Sequence, residues 1–531
     1  MEITAAVDKW RNLLGATNVL LGQDAQACYG IDASGCSRRI PAALLIHDAA
    51  VLPDLMRIAS THGVPVYPIS TGRNWGYGTS LPAADNCVII DLSRMQRILH
   101  FDEELGVVTV EPGVTQQILS DFLRTRNSSY LVPVTGAGPQ CSLVGNALER
   151  GYGITPYTDH FAAVTDVEAV LADGSTYRTA MNETGGEDLA RLFKWGIGPY
   201  SAGLFTQSGF GIVTRLTIVL AKRPECVKAC FFGLPDDRLL ETATLRIRTI
   251  LGKLPGLVGG INLMNRHRVL AMSAPYPKAS VGPNGLISNA EIERLGREYQ
   301  VLPWTGFGTL YGPKSVVQAA QREIKEALSG IATRLMFLSP ERAASLSRIA
   351  SHLPGAWGKR LSSTVNTVAK GLELVNGMPN ETALPLAYWR NPSTPDGQWR
   401  DPSRDGCGLI WYAPLVPMRP EAIRAYVEMV TSVTTSHGIE PLITFTSLND
   451  RLFDSTVPII FNRRDDGELG RATACYEELF DRGRSLGVFP YRVGVDTMKK
   501  LSSLQGTSFQ FHARLRQGLD PQGLISPGRY Q

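Results

Sequence analysis

Between residues 67 and 78 the chain reads Tyr67-Pro68-Ile69-Ser70-Thr71-Gly72-Arg73-Asn74-Trp75-Gly76-Tyr77-Gly78, directly after a short β-prone run of Val64, Val66 and Tyr67. Gly72, Gly76 and Gly78 can take positive φ and let backbone N–H groups crowd against a ligand. Ser70, Thr71 and Asn74 add short polar side chains, and Arg73 adds a charge. A loop so built can wrap a pyrophosphate through successive backbone donors, without a helix N-terminus or a lysine. Read alone, it also fits an ordinary turn-rich loop.

A chain of 531 residues exceeds one core and predicts two or three domains. Hydrophobic content of 44% and charged content of 19% are those of a soluble globular protein. The net charge of +4 is small for this length, and no lysine- or arginine-rich cluster stands out, which argues against nucleic-acid or membrane partners. The N-terminus carries Glu2 and no apolar run, so no signal peptide is expected, and no segment is apolar enough to span a bilayer. Scattered cysteines, with only Cys226 and Cys230 close together and no HExxH among the histidines, predict free thiols, a cytoplasmic location and no metal site.

Periodicity predicts an amphipathic helix within residues 1–25 leading to a strand near Val19–Leu21. A helix over Ala50–His62, strands at Cys87–Leu92 and Val107–Val110, and a helix over Thr115–Arg124 follow. The stretch from Pro133 to His160 carries Gly136, Gly138, Pro139, Gly145, Gly151, Gly153 and Pro156 and predicts a long functional loop. Strands resume at Val164–Leu171 and Gly211–Leu216, so the chain to residue 222 is an α+β mixture. From 223 to 490 a βαβ-like theme is expected, with a strand near Cys230–Phe232 and helices over Leu239–Leu251, Pro313–Ile331 and Pro420–His437. The Asn391–Gly406 insert, rich in Pro, Asp, Ser and Arg, predicts a surface loop.

Several nucleotide and hydrolase signatures are absent. Gly151-Tyr152-Gly153 continues into Ile-Thr-Pro and cannot open the helix of a dinucleotide fingerprint. Gly355-Ala-Trp-Gly358-Lys359-Arg360 has the wrong spacing for a P-loop, and no GxSxG elbow occurs.

The glycine loop resembles the pyrophosphate loop of the vanillyl-alcohol oxidase/p-cresol methylhydroxylase flavoprotein family, and it does not stand alone. Val110-Glu-Pro-Gly-Val114, Glu149-Arg-Gly-Tyr-Gly-Ile-Thr-Pro-Tyr157 with Asp159-His160, Phe193-Lys-Trp-Gly-Ile-Gly-Pro199, Gly203–Val213 and Asp520–Arg529 are similar to further flavin segments of that family, in its order. The resemblance implies an α+β, two-domain FAD-binding fold. Residues 1–222 and the return 491–531 would form the FAD domain, and 223–490 an inserted substrate, or cap, domain. It assigns FAD contacts to Ser70, Thr71, Gly72, Arg73, Asn74, Trp75 and Gly76, then to Pro133, Gly136 and Asn146. Gly151, Gly153, Pro156, Tyr157, His160, Gly211, Ile212 and Val213 follow, and Arg529 would face the N1/C2=O edge of the flavin ring.

By the same resemblance Tyr77, Tyr491 and Arg492 hold the phenolate oxygen of a 4-substituted phenol, a small aromatic substrate whose benzylic C–H leaves as hydride. Two departures stand out. The place of a family glutamate is taken by Thr444, and a second acidic place falls near Val457 or Pro458, which leaves Asp450 or Asp454 for proton transfer. The histidine that carries flavin in some members is replaced by Gly408-Leu409, while Tyr388 is offset by one residue from the tyrosine of others; His160 is a weaker candidate. Three readings stay open: phenol oxidation, oxidation of a non-phenolic alcohol or biosynthetic intermediate, and a non-catalytic flavin-binding subunit. The electron acceptor expected from the family is oxygen, a c-type cytochrome or a quinone, and the expected assembly is a homodimer.

Overall fold

In a computed structural model, residues 2–352, 355–391, 397–504 and 506–530 are described. Continuous apolar runs make the first layer, a four-stranded sheet in the order Val19–Leu21, Ala42–Leu45, Val88–Asp91, Val66–Ile69. The strand Val88–Asp91 pairs in parallel with both neighbours, as expected of strands buried on both faces. The helix Leu52–His62 lays Leu52, Leu55, Met56 and Ala59 into this core and ends at Gly63, whose left-handed φ of 59° closes the last turn. Trp10, fully buried, donates its indole N–H to the Leu55 carbonyl at 3.2 Å and pins the first helix, Glu2–Leu14, to the helix Leu52–His62.

The far end of the chain returns to this layer. Ile525 bridges in parallel to Val66, Leu524 and Ile525 are buried in the same core, and the Asp520 carboxylate accepts their N–H groups at 2.8 Å each. A second sheet, five-stranded and antiparallel throughout, runs Ile98–Asp102, Val107–Val110, Ile212–Val219, Val164–Val170, Thr176–Tyr177. The predicted loop from Pro133 to His160 is broken by a short helix, Leu143–Leu148, because the Ser142 hydroxyl accepts from the Gly145 N–H and caps it.

Residues 226–490 supply a nine-stranded sheet whose pairings are all antiparallel. The βαβ theme is present in split form. Cys226–Leu234 and Val258–Asn265 run the same way around the helix Leu240–Lys253, but Trp304–Gly312 lies between them and opposes both. Alternation divides this sheet into two faces. Phe445, Phe453, Val457 and Phe461 point into a core with the helices Leu240–Lys253, Lys314–Ala327, Pro420–Ser436 and Asp466–Ser485. The hairpin partners Thr444 with Thr456 and Thr446 with Asp454 therefore share the opposite face.

That opposite face meets the glycine loop: the Trp411 N–H donates to the Gly76 carbonyl at 3.3 Å. The described part of the 391–406 insert is not bare surface. Asp401 and Asp405 reach Arg73 and Tyr388, Ser403 is buried, and residues 392–396 lie outside the described residues. All eight cysteines are unbridged. Among the described residues, no helix is long and apolar enough to cross a membrane, and no His/Cys/Asp/Glu cluster suits a metal ion.

Candidate active site

The loop leaves the strand Val66–Ile69 and turns at Gly72 and Gly76, with φ of 63° and 72°. A Cβ on Gly76 would lie 2.6 Å from Trp411 Cδ1, so sterics as well as φ require glycine there. Among the described residues, the backbone N–H groups of Thr71, Gly72, Arg73, Trp75 and Gly76 find no acceptor in the protein, while Asn74 bridges to Thr79. Orphaned donors in a half-buried loop call for an anion, and a pyrophosphate supplies one. Ser70 closes the loop against the helix Leu143–Leu148, its Oγ standing 3.0 Å from where a Gly145 Cβ would sit. The Arg73 guanidinium is engaged by Asp401 and lies 5.3 Å from the Trp75 ring centre, so its charge is already matched.

Asn146 and His160 form the next wall. The Asn146 amide meets His160 Nδ1, and burial pushes the imidazole down to about 4, so it is neutral at physiological pH. His160 Nε2 is buried without a partner beside Gly153. At Gly151 a Cβ would strike the Asn146 side chain at 2.0 Å, which explains the glycine. Pro133 and Pro156 are half-buried in the same walls, and Gly136 faces Ala383 across the boundary between the sheets. The side chains of three further expected FAD contacts lie elsewhere. Tyr157 points to solvent, and Ile212 and Val213 are buried in the two N-terminal cores beyond Gly211, because their strand packs on both faces.

Tyr77 and the adjacent pair Tyr491-Arg492, far apart in sequence, converge. The Arg492 guanidinium sits 4.4 Å from the Tyr77 ring centre, and the Val495 N–H donates to the Tyr77 carbonyl at 3.1 Å, tying the two segments together. Arg492 also donates to Asn74 Oδ1, so the glycine loop and the substrate end share one residue. Tyr491 packs edge-on to Tyr152 at 5.4 Å, and Gln207 holds its carbonyl at 3.2 Å. Burial raises the pKa of both Tyr77 and Tyr491, with the Arg492 charge working against it, so both are neutral O–H donors.

Two acids complete the cluster. Glu149 lies between the arginines: its Oε2 is 3.3 Å from Arg492 Nε, and its Oε1 accepts from Arg529. Arg529 is further held by the Ser208 carbonyl at 3.1 Å and the Tyr67 hydroxyl at 2.7 Å, not left in solvent. Asp454 is buried with Oδ1 unpartnered, and burial lifts it to about 7 against the opposing pull of Arg492. It is felt electrostatically by Tyr77, Tyr491 and Tyr152. Asp450, the other candidate acid, pairs with Arg451 at 3.0 Å in the hairpin turn and stands outside the cluster. Val457 faces the core, leaving Pro458 on the site face. Glu149 was legible only as the first residue of its motif; nothing local in the sequence marks it as a shared counter-ion.

Tyr388 packs in one apolar cluster with Trp75, Leu409 and Leu386, and its hydroxyl donates to Asp405. Half-buried donors in a glycine cradle, an arginine pair and a buried carboxylate at a sheet interface fit an FAD-dependent oxidoreductase.

Comparison with known proteins supports that class. A family model described as an FAD binding domain matches residues 41–180. The chain is 36% identical over 528 residues to the 1'-carboxy-chondrochloren decarboxylase of Chondromyces crocatus, covering 99% of this chain and 96% of that protein. It is 26% identical over 542 residues to the 4-cresol dehydrogenase [hydroxylating] flavoprotein subunit of Pseudomonas putida, covering 99% and 95%. Its fold is similar to that of p-cresol methylhydroxylase with substrate bound, with a TM-score of 0.87 at 24% identity over 100% of this chain and 96% of the other. It is also similar to that of 4-ethylphenol oxidase from Gulosibacter chungangensis in an isoeugenol complex, at 0.86 and 24% over 100% and 97%. The chain belongs to the vanillyl-alcohol oxidase/p-cresol methylhydroxylase family of FAD-linked oxidases, with that family's α+β two-domain fold and FAD as cofactor.

Proposed function

We propose that the enzyme removes a hydride from the benzylic carbon of a para-substituted phenol held between residues 1–222 with 491–531, the FAD domain, and residues 223–490, the cap. The observation that carries this reading is the convergence of Tyr77, Tyr491, Arg492 and Asp454 on one side of the cap sheet. Thr71–Gly76 would hold the FAD pyrophosphate, with Asn146, His160 and the flanking glycines against the rest of the cofactor. Bound FAD supplies the hydride acceptor.

Two neutral tyrosine donors and a guanidinium favour the phenolate over the phenol, and Asp454 takes its proton. A phenolate oxygen pushes charge toward the para position, which loosens the benzylic C–H pair. The net positive charge of Arg492 and Arg529 over Glu149 favours negative charge as it arrives. Anaerobic mixing of the holoprotein with a 4-alkylphenol is expected to bleach the flavin. No bleaching by any para-alkylphenol sinks the phenol reading and leaves a non-phenolic substrate or a non-catalytic subunit. Reoxidation by oxygen, a c-type cytochrome or a quinone is distinguished by adding each to the reduced protein, and the homodimer by sedimentation.

A second reading is favoured by the likeness to a carboxy-substrate decarboxylase and by Thr444 standing where the family has an acid. Here the substrate carries a carboxylate on the carbon next to the benzylic one. After hydride loss the quinone methide breaks its bond to the carboxylate. That electron pair forms the new C=C bond, the ring regains aromaticity, CO2 leaves and the phenolate oxygen recovers its proton. No water is consumed, so no acid is needed to activate one. Release of CO2 in step with flavin reduction supports it; a benzylic alcohol product excludes it.

A further inference from the structure

Arg268 stands near the start of the helix Arg266–Ser273, which follows a strand of the cap sheet. Its Nε donates to Thr444 Oγ1 at 3.1 Å, and its Nη1 is buried with no acceptor. Its neighbours on the helix are matched: Arg266 meets Glu293, and His267 lies 3.7 Å from Glu440. Among the described residues no carboxylate pairs with Arg268. Burial alone draws its guanidinium down to about 10, yet part of the residue keeps accessible surface. A buried guanidinium without a counter-ion is costly, and its planar fork suits a carboxylate.

Its place is informative. Thr444 and Asp454 are diagonal neighbours on the site face of one hairpin, and such positions are about 7–8 Å apart. With the phenol oxygen fixed at Tyr77, Tyr491 and Arg492, the para substituent extends over this face. Where the family resemblance places an acid, the chain has the reverse: a threonine that holds an unmatched arginine.

We infer that Arg268, oriented by Thr444, seats a carboxylate on the substrate's para side chain, so that the substrate is a 4-hydroxyphenyl compound with an anionic tail. This rests on the phenol reading for the other end of the molecule. The two are separated by probes that carry one group each.

Titration calorimetry on the holoprotein compares 3-phenylpropanoate with its neutral isostere 3-phenylpropanamide, neither of which has a phenol. The carboxylate is expected to bind at least about tenfold more tightly, the worth of one charge-assisted hydrogen bond. Arg268→Met is expected to bring the ratio to near one, and Arg268→Lys to keep part of it. Equal affinity of the two probes for the wild type, including no binding of either, overturns the inference, as does an unchanged ratio in Arg268→Met. Should that variant fail to fold, the wild-type pair decides alone. Bleaching by 4-propylphenol tests the phenol reading independently, since that probe has no carboxylate.

Discussion

Arg492 Nε lies 3.3 Å from Glu149 Oε2. The other oxygen of the same carboxylate accepts from Arg529, so two guanidiniums share one counter-ion and one positive charge is left over once Asp454 carries a proton. A matched pair would give the site no net field. A surplus charge at a site where a phenolate forms and a hydride arrives lowers the cost of both.

Loss of Arg492 is therefore expected to slow anaerobic flavin reduction by 4-alkylphenols about 100-fold or more, the cost of removing one preorganised donor. Arg492→Lys restores the charge but not the fork that reaches Asn74 and Glu149 together, and is expected to recover only part of the rate. An Arg492→Ala protein that reduces as fast as the wild type refutes the phenolate role.

Asp454 gives a pH signature. As a base lifted from 3.8 to about 7, it accepts a proton only above that range, so the reduction rate is expected to rise with pH and level off beyond 7. Asp454→Asn is expected to lose both the inflection and about 100-fold in rate. Stability runs the other way. A folded-state pKa above the unfolded one contributes stability below the unfolded value, and that stability is lost as pH rises through about 7. A carboxyl raised from 3.8 to about 7 costs the fold at most about 4 kcal/mol once ionised, so Asp454→Asn should melt higher than the wild type at pH 8. Equal melting temperatures there would contradict the burial argument.

Gly76→Ala tests the cradle. The new methyl meets Trp411 Cδ1 at 2.6 Å on a backbone with φ of 72°, so the loop or the Trp411 strand must shift. The purified variant is expected to carry less than about half the flavin of the wild type, as measured by absorbance after gel filtration. Full occupancy would remove this loop from the pyrophosphate site.

Tyr388 is the residue we propose for a covalent link to the flavin, with Asp405 placed to take its hydroxyl proton. Acid precipitation should then leave yellow colour in the wild-type pellet and release it from Tyr388→Phe. Colour in the supernatant of both proteins argues for a dissociable cofactor.

Much of this was legible along the chain because it is local. Gly72 and Gly76 announce positive φ, the stretch Thr115–Arg124 reads as a helix, and the apolar runs at Val66 and Val88 read directly as buried strands. The matching of Arg73 was not legible, because charge is visible in a sequence but its neutralisation is not: Asp401 lies in a segment that looked like plain surface loop. Nor was the exposure of Tyr157, since a motif position does not say which way a side chain points.

By itself the sequence determined the α+β character, the anion-binding loop and the FAD family, each of which depends on residues close together or in fixed order. The tertiary structure alone decided which charges remain unmatched. Glu149, Arg492 and Arg529 meet only because residues 520–530 return to the first sheet. Asp454 faces the site, and Val457 the core, only through hairpin register, where a shift of one residue exchanges the faces. Arg268 gains its meaning from Thr444, on a strand far along the chain, and from the absence of a paired carboxylate among the described residues. Burial sets the energy of a charge, and burial is a property of the packed fold.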